Sequence, residues 1–313
     1  MGCLSPTFVA TQLQIYMWLI LAFASAFFLG FYDIFKKISL NENAVIPTLF
    51  FSTVMASVIM LVLVLVSAMG YLTSDQLMYV PPVSLADHLR IILKTVIVLS
   101  SWIFTFFAMK NLPLTILAPI RSTGPLWTML GAFLIFSERL NFFQLAGVLV
   151  IFVFFYLFST AGKLEGISFR NNKFIWFLIA GTLFGTCSAL YDRFLLRQTD
   201  VMAVQAYFTF YQTALLVPVL MLLWYPGRAK TTTFQWRWSI PFIGIFLLIG
   251  DYLYFYSISL PDSLISVISL VRRSNVLIVF LFGAIFYQEK NIRKKGVYLA
   301  GILLGLLLLI LGR

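Results

Sequence analysis

The sequence predicts an all-α polytopic membrane protein, with ten transmembrane helices arranged as two inverted five-helix repeats. Three observations predict it. The 313 residues are 61% hydrophobic and 11% charged, whereas a globular chain averages about half apolar and about a quarter charged. Ten apolar runs can be read, most of them close to the ~20 residues that cross a ~30 Å hydrocarbon core. The two halves of the chain also repeat a set of features in the same order.

The runs fall at 14–35, 45–68, 91–109, 113–136, 142–160, 174–192, 203–225, 239–259, 263–287 and 296–311. They are continuously apolar rather than alternating, which favours helices over a barrel. The first run lacks the preceding basic region of a cleavable signal peptide. The opening "MGCLSP" suggests lipidation superficially, but Pro6 stands where myristoylation wants Ser or Thr.

The excess of 22 Lys and Arg over 11 acidic residues gives a net charge of +11. In a membrane chain this reflects orientation and lipid contact rather than nucleic acid. The loops after runs 1, 3, 5, 7 and 9 hold thirteen basic residues. The opposite side holds six: Arg90, Lys94, Arg139, Arg193, Arg197 and Arg313. The positive-inside rule therefore puts both termini outside. The basic "EKNIRKK" at 289–295 reads as a topology determinant, with anionic-lipid contact as a second reading.

Several chemistries are disfavoured. Cys3 and Cys187 are far apart and Cys187 lies inside an apolar run, so neither a disulfide framework nor a metal site is expected. His88, the one histidine, falls in the 70–90 loop and is expected to be solvated. No cofactor is expected. No Walker motif or soluble domain is present, which argues against ATP drive by this chain.

The repeat rests on two correspondences. "LAFASAFFLGFYDIF" in helix 1 and "AGTLFGTCSALYDRF" in helix 6 align at a shift of 159, matching Tyr32–Asp33 to Tyr191–Asp192 and Phe35 to Phe194. Ala22, Ala26 and Gly30 then meet Gly181, Gly185 and Ala189, two ridges of small residues that allow close helix approach in lipid. "PIRSTGPLWTMLGAFLIFSER" resembles "LVRRSNVLIVFLFGAIFYQEK" at a shift of 151, matching Arg121 to Arg272, Thr123 to Ser274 and Glu138 to Glu289. Helices 3 and 8 lead into matching turns, Leu112–Pro113 and Leu260–Pro261. Five helices per repeat is odd, so the second copy enters the membrane upside-down, a transporter architecture with substrate bound near the midplane. The repeats are drawn as 1–162 and 163–313.

Five plus five helices, a helix 4 with charge and proline, and a Glu closing helices 4 and 9 resemble the drug/metabolite transporter superfamily, EamA type. The resemblance covers nearly the whole chain. It implies that helices 1, 3, 4, 6, 8 and 9 line a central cavity while 5 and 10 lie peripherally. It also implies both termini in the cytoplasm, against the charge bias, so orientation stays open.

Ionisable groups near the bilayer centre cost about 2.5–3.5 kcal/mol or more, and are paired or line water. The candidates are Asp33, Arg121, Asp192, Asp251, Arg272 and Arg273. Helices 8 and 9 form a hairpin about Leu260–Pro261, so counting residues puts Asp251 and Arg272 at similar depth and predicts a salt bridge from Asp251 to Arg272 or Arg273. Asp192 is a second partner for that pair, and Asp33 pairs with Arg121. One reading is that these charges only staple helices together. The other is that at least one arginine meets substrate, its planar fork suiting carboxylate or phosphate.

Polar neighbours choose a face. Ser266, Ser269 and Arg273 form one stripe, and Thr115, Ser122 and Pro125 another. Pro119 and Pro125 bracket Arg121, and a broken helix beside a charge marks transporter binding sites. Trp102 and Thr105 on helix 3, with Tyr254 one turn from Asp251, complete the expected pocket. Glu138 and Glu289 are read as interfacial, with gating or capping as a lesser reading. Arg273 has no counterpart in the first half, where Ser122 takes its place; it is the arginine less needed for symmetric bracing and the first choice for substrate contact.

The expectation is a non-enzymatic secondary transporter, in the bacterial inner (plasma) membrane. It moves a small polar, anionic or zwitterionic metabolite by alternating access. Its partners are that substrate and membrane lipid, and it acts as monomer or homodimer. Asp33, Asp192 or Asp251 are candidates for proton or ion coupling, since a carboxylate whose Arg partner is taken by substrate has reason to bind a proton. The alternatives are a lipid flippase or scramblase, or a membrane enzyme acting on lipid-linked substrates.

Overall fold

The computed structural model describes residues 6–111, 120–121, 123–159, 172–228, 232–275, 278, 282 and 292–311. Among the described residues there are ten α-helices. They are α1 (Pro6–Leu40), α2 (Val45–Ala68), α3 (Leu85–Asn111), α4 (Gly124–Phe136), α5 (Phe142–Ser159), α6 (Lys173–Leu195), α7 (Val201–Val219), α8 (Ser239–Ser259), α9 (Ile265–Arg272) and α10 (Ile292–Leu311). Six carry stretches long and apolar enough to cross a bilayer, and α4, α5 and α10 contain shorter apolar helical stretches. The chain is an integral, multi-pass membrane protein.

Local chemistry sets the ends of these helices. Asp200 caps α7, its Oδ1 accepting from the backbone N–H of Met202 (2.8 Å) and Ala203 (3.0 Å). Pro218 sits inside α7 without an N–H to give, and the chain continues as a π-turn over Leu220–Trp224. The α3 helix starts six residues before the apolar run that announced it. "SLAD" is its start signal: Ser84 Oγ accepts from the Asp87 N–H (3.2 Å) and donates to Asp87 Oδ2 (2.7 Å). Asp87, His88 and Arg90 in the first turns lower the hydropathy, which hid this boundary.

Two expectations are thereby corrected. His88 belongs to α3 rather than to a solvated loop. Its Nδ1 lies 3.0 Å from the Tyr211 hydroxyl and its ring meets Tyr207 edge-on at 4.6 Å. Lys94 and Arg193 were counted among charges outside the membrane core, yet both are buried, Lys94 at 2% exposure. Lys94 lies about two and a half turns into α3.

The helices group into two compact units, each drawing from both halves of the sequence. The first comprises residues up to Thr95 together with Phe194–Ser263. Here α1 and α8 are stapled by two serines: Ser25 Oγ donates to the Gly250 carbonyl and Ser257 Oγ to the Trp18 carbonyl, each at 2.6 Å. Phe31 and Phe35 of α1 stack on Phe246 of α8. Ala22 and Ala26 are buried, as the small-residue ridge predicts. The α2 helix joins α7 through Ser57, which reaches the Thr209 carbonyl and the Thr213 hydroxyl. It meets α8 at Gly244, where any side chain would collide with the Ser52 carbonyl oxygen.

The second unit comprises Val96–Arg193 and Leu264–Arg313. Its α6 packs on α3 through the predicted ridge, since a Cβ at Gly181 would press on Thr105 and one at Gly185 would lie 3.2 Å from Ser101 Oγ. Ser101 Oγ donates to the Gly181 carbonyl at 2.7 Å. Gly301 and Gly305 of α10 are overlain by Phe154 and Ile151 of α5.

Candidate functional site

The long apolar runs at 113–136 and 263–287 do not fold as uninterrupted helices. Before α4 the chain turns at Thr123, whose N–H donates to the Ile120 carbonyl (3.1 Å). The α9 helix stops at Arg272, and Arg273 and Ser274 donate their N–H groups three residues back, to Leu270 (3.0 Å) and Val271 (2.9 Å). Arg121 and the arginine pair therefore stand at breaks, where free backbone carbonyls favour cations. The prolines around Arg121 announced the first break. No proline announces the second.

Arg272 is half-buried and Arg273 exposed. The Arg273 guanidinium runs along the first turn of α4, with Nη2 3.6 Å from where a Cβ on Gly124 would lie. Gly124 also offers its carbonyl to the hydroxyls of Thr128 (3.2 Å) and, from α6, Thr186 (3.4 Å). A bare glycine backbone, an arginine fork and a threonine hydroxyl thus meet within the second unit. Arg121 is exposed in that unit, Asp192 is buried in α6, and Trp102 is half-buried on α3. Ser269 spends its hydroxyl proton on the Ser266 carbonyl (3.3 Å). Ser122 lies outside the described residues, as do Thr115, Pro119 and Glu289.

The remaining predicted residues belong to the first unit. Asp33 is half-buried on α1. Asp251, on α8, lines a cavity of about 10 Å³, on the order of one water molecule. Ser52, Thr53, Gln205, Thr209 and Gln212 supply its polar wall. Among the described residues Gln205 Oε1 and Gln212 Nε2 have no hydrogen-bond partner, so both have bonds to offer a molecule in that space. Tyr254 is buried within this unit, its ring 5.5 Å from that of Phe255.

Sequence reasoning passed over Lys94. Its ammonium sits 4.3 Å from the ring centroid of Phe208 and 4.6 Å from that of Phe255, a desolvated cation between two aromatic faces. Phe208 also lines the cavity that holds Asp251. The signal was available: Lys94 falls inside the apolar run 91–109 and merited the same attention as the arginines. Glu138, given a lesser reading as a cap, is one, and its contacts are described below. Among the described residues no group of three or more His, Cys, Asp or Glu is placed to hold a metal ion.

Comparison with known proteins agrees with this architecture. Residues 16–160 match the family described as "EamA-like transporter family". A solved structure described as "Crystal structure of protein" superposes with a TM-score of 0.70 at 17% identity, over 93% of this chain and 96% of that one. That likeness concerns the fold alone. Comparison with curated proteins finds no match.

Proposed function

From the match of residues 16–160 to the EamA-like transporter family, we propose that this chain is a secondary transporter of the drug/metabolite transporter superfamily. It moves a small polar, anionic or zwitterionic metabolite by alternating access at a midplane cavity. The observation that carries the substrate class is the arginine pair at the end of α9, with the Arg273 fork laid against the open backbone of Gly124. A guanidinium fork matches the two oxygens of a carboxylate or the face of a phosphate.

The inverted repeat, 1–162 against 163–313, is part of the proposal. One support is the pair of breaks beside Arg121 and Arg272, which the shift of 151 brings into register. A second is a recurring contact. Ser25 of α1 bonds the Gly250 carbonyl of α8, and Ser101 of α3 bonds the Gly181 carbonyl of α6. The repeat pairs α1 with α6 and α3 with α8, so the two helix pairs are counterparts, although the serine donor stands on α1 in one and on α3 in the other.

Coupling belongs to Asp33, Asp192 or Asp251, and the setting is the bacterial inner membrane, as monomer or homodimer. The test is a competition-binding screen of the purified protein with amino acids, nucleotides, sugars and polyamines, followed by uptake into proteoliposomes under an imposed pH gradient. Selective binding of anionic or zwitterionic compounds that Arg273→Gln abolishes is the expected result. Binding of phospholipid in their place returns the flippase reading.

A further inference from the structure

We propose that Glu138 is a removable latch that holds the start of α9 in this conformation and lets go when that face of the membrane opens. The inference rests on the alternating-access reading above.

The α9 helix has no cap of its own. Leu264 precedes it and has no side-chain oxygen to offer its first N–H groups. The cap comes from 127 residues away. Glu138 Oε1 accepts from the Ile265 N–H at 2.9 Å, and Oε2 accepts from the Ser266 N–H at 3.2 Å and the Ser266 hydroxyl at 2.6 Å. Both carboxylate oxygens are committed, and their charge faces the positive end of the helix dipole. The reach is built by Ser137, which leaves α4 in the left-handed region (φ 55). The Ala132 carbonyl then accepts the backbone N–H of both Ser137 and Glu138.

The consequence is mechanical. The α9 helix has eight residues, and the arginine pair stands at its far end, about 10 Å along the axis from the cap. Fixing Ile265 and Ser266 to the end of α4 fixes how deep Arg272 and Arg273 reach.

The test uses the full chain in lipid nanodiscs, with Cys3 and Cys187 replaced by serine and Val267→Cys as reporter. Val267 is buried in the first turn of α9. Labelling by a membrane-impermeant maleimide is followed without substrate. Glu138→Gln should raise the labelling rate about tenfold, the order expected for a charge-assisted set of hydrogen bonds. Ser266→Ala, which keeps the carboxylate, should raise it by a smaller factor. Unchanged labelling in Glu138→Gln overturns the latch and leaves a static cap. Labelling needs no transport, so absence of uptake by the parent would sink the transporter reading without touching this result.

Discussion

Lys94 holds its ammonium 4.3 Å from the centre of the Phe208 ring, inside a helix long and apolar enough to cross a membrane. A cation at that depth is costly unless its surroundings replace water, and an aromatic face supplies part of what is lost. Phe208→Leu keeps the bulk and removes the face. It should lower the thermal midpoint in detergent, by a destabilisation of about 0.5–2 kcal/mol. Lys94→Met, which removes the charge, should be tolerated better than Phe208→Leu if burial dominates. Equal stability of Phe208→Leu and the parent would mean the ring contributes packing alone.

Close helix approach makes a sharper prediction. A methyl group at Gly244 would meet the Ser52 carbonyl oxygen, a backbone atom that cannot swing aside, while one at Gly296 meets nothing within 4 Å. Gly244→Ala should therefore cost about 1–3 kcal/mol through overpacking. Gly296→Ala, in α10, should gain up to about 1 kcal/mol from helix propensity. Melting curves of the two variants beside the parent check both signs in one experiment.

Particular helices show which features were legible beforehand. The span of α8 and the ridges on α1 and α6 follow from hydropathy and from small residues at a period of four, so both could be read directly. The start of α3 was not, because Asp87, His88 and Arg90 interrupt an apolar pattern while Ser84 and Asp87 form the cap that begins the helix. Depth counting puts Asp251 at the level of Arg272 and says nothing of which helices pack together. Asp251 belongs to the compact unit of α1, α2, α7 and α8, and Arg272 to the other. Contacts such as Glu138 with Ser266 span 128 positions, and no local pattern announces them.

The cap of α7 offers a simpler check of helix energetics. Asp200 satisfies two N–H groups that would otherwise lack a partner. Asp200→Ala should destabilise the protein by about 0.5–2 kcal/mol, and Asp200→Asn, whose amide oxygen still accepts, by much less. If both substitutions cost the same, the charge rather than the hydrogen bonds carries the effect.

The arginine fork distinguishes a recognition site from a staple. At Arg273 a lysine preserves charge but presents a single ammonium in place of a planar pair of donors. If Arg273 meets a carboxylate or phosphate, Arg273→Lys should weaken binding about tenfold while leaving the melting temperature near that of the parent. That loss is the order of one bidentate, charge-assisted contact. Arg272→Lys is the informative partner, because Arg272 is half-buried and ends the helix itself. If Arg272 is the brace, its substitution should lower stability and binding together, whereas Arg273→Lys lowers binding alone. The reverse pattern would move substrate contact to Arg272 and leave Arg273 as the residue that packs α9 against Gly124.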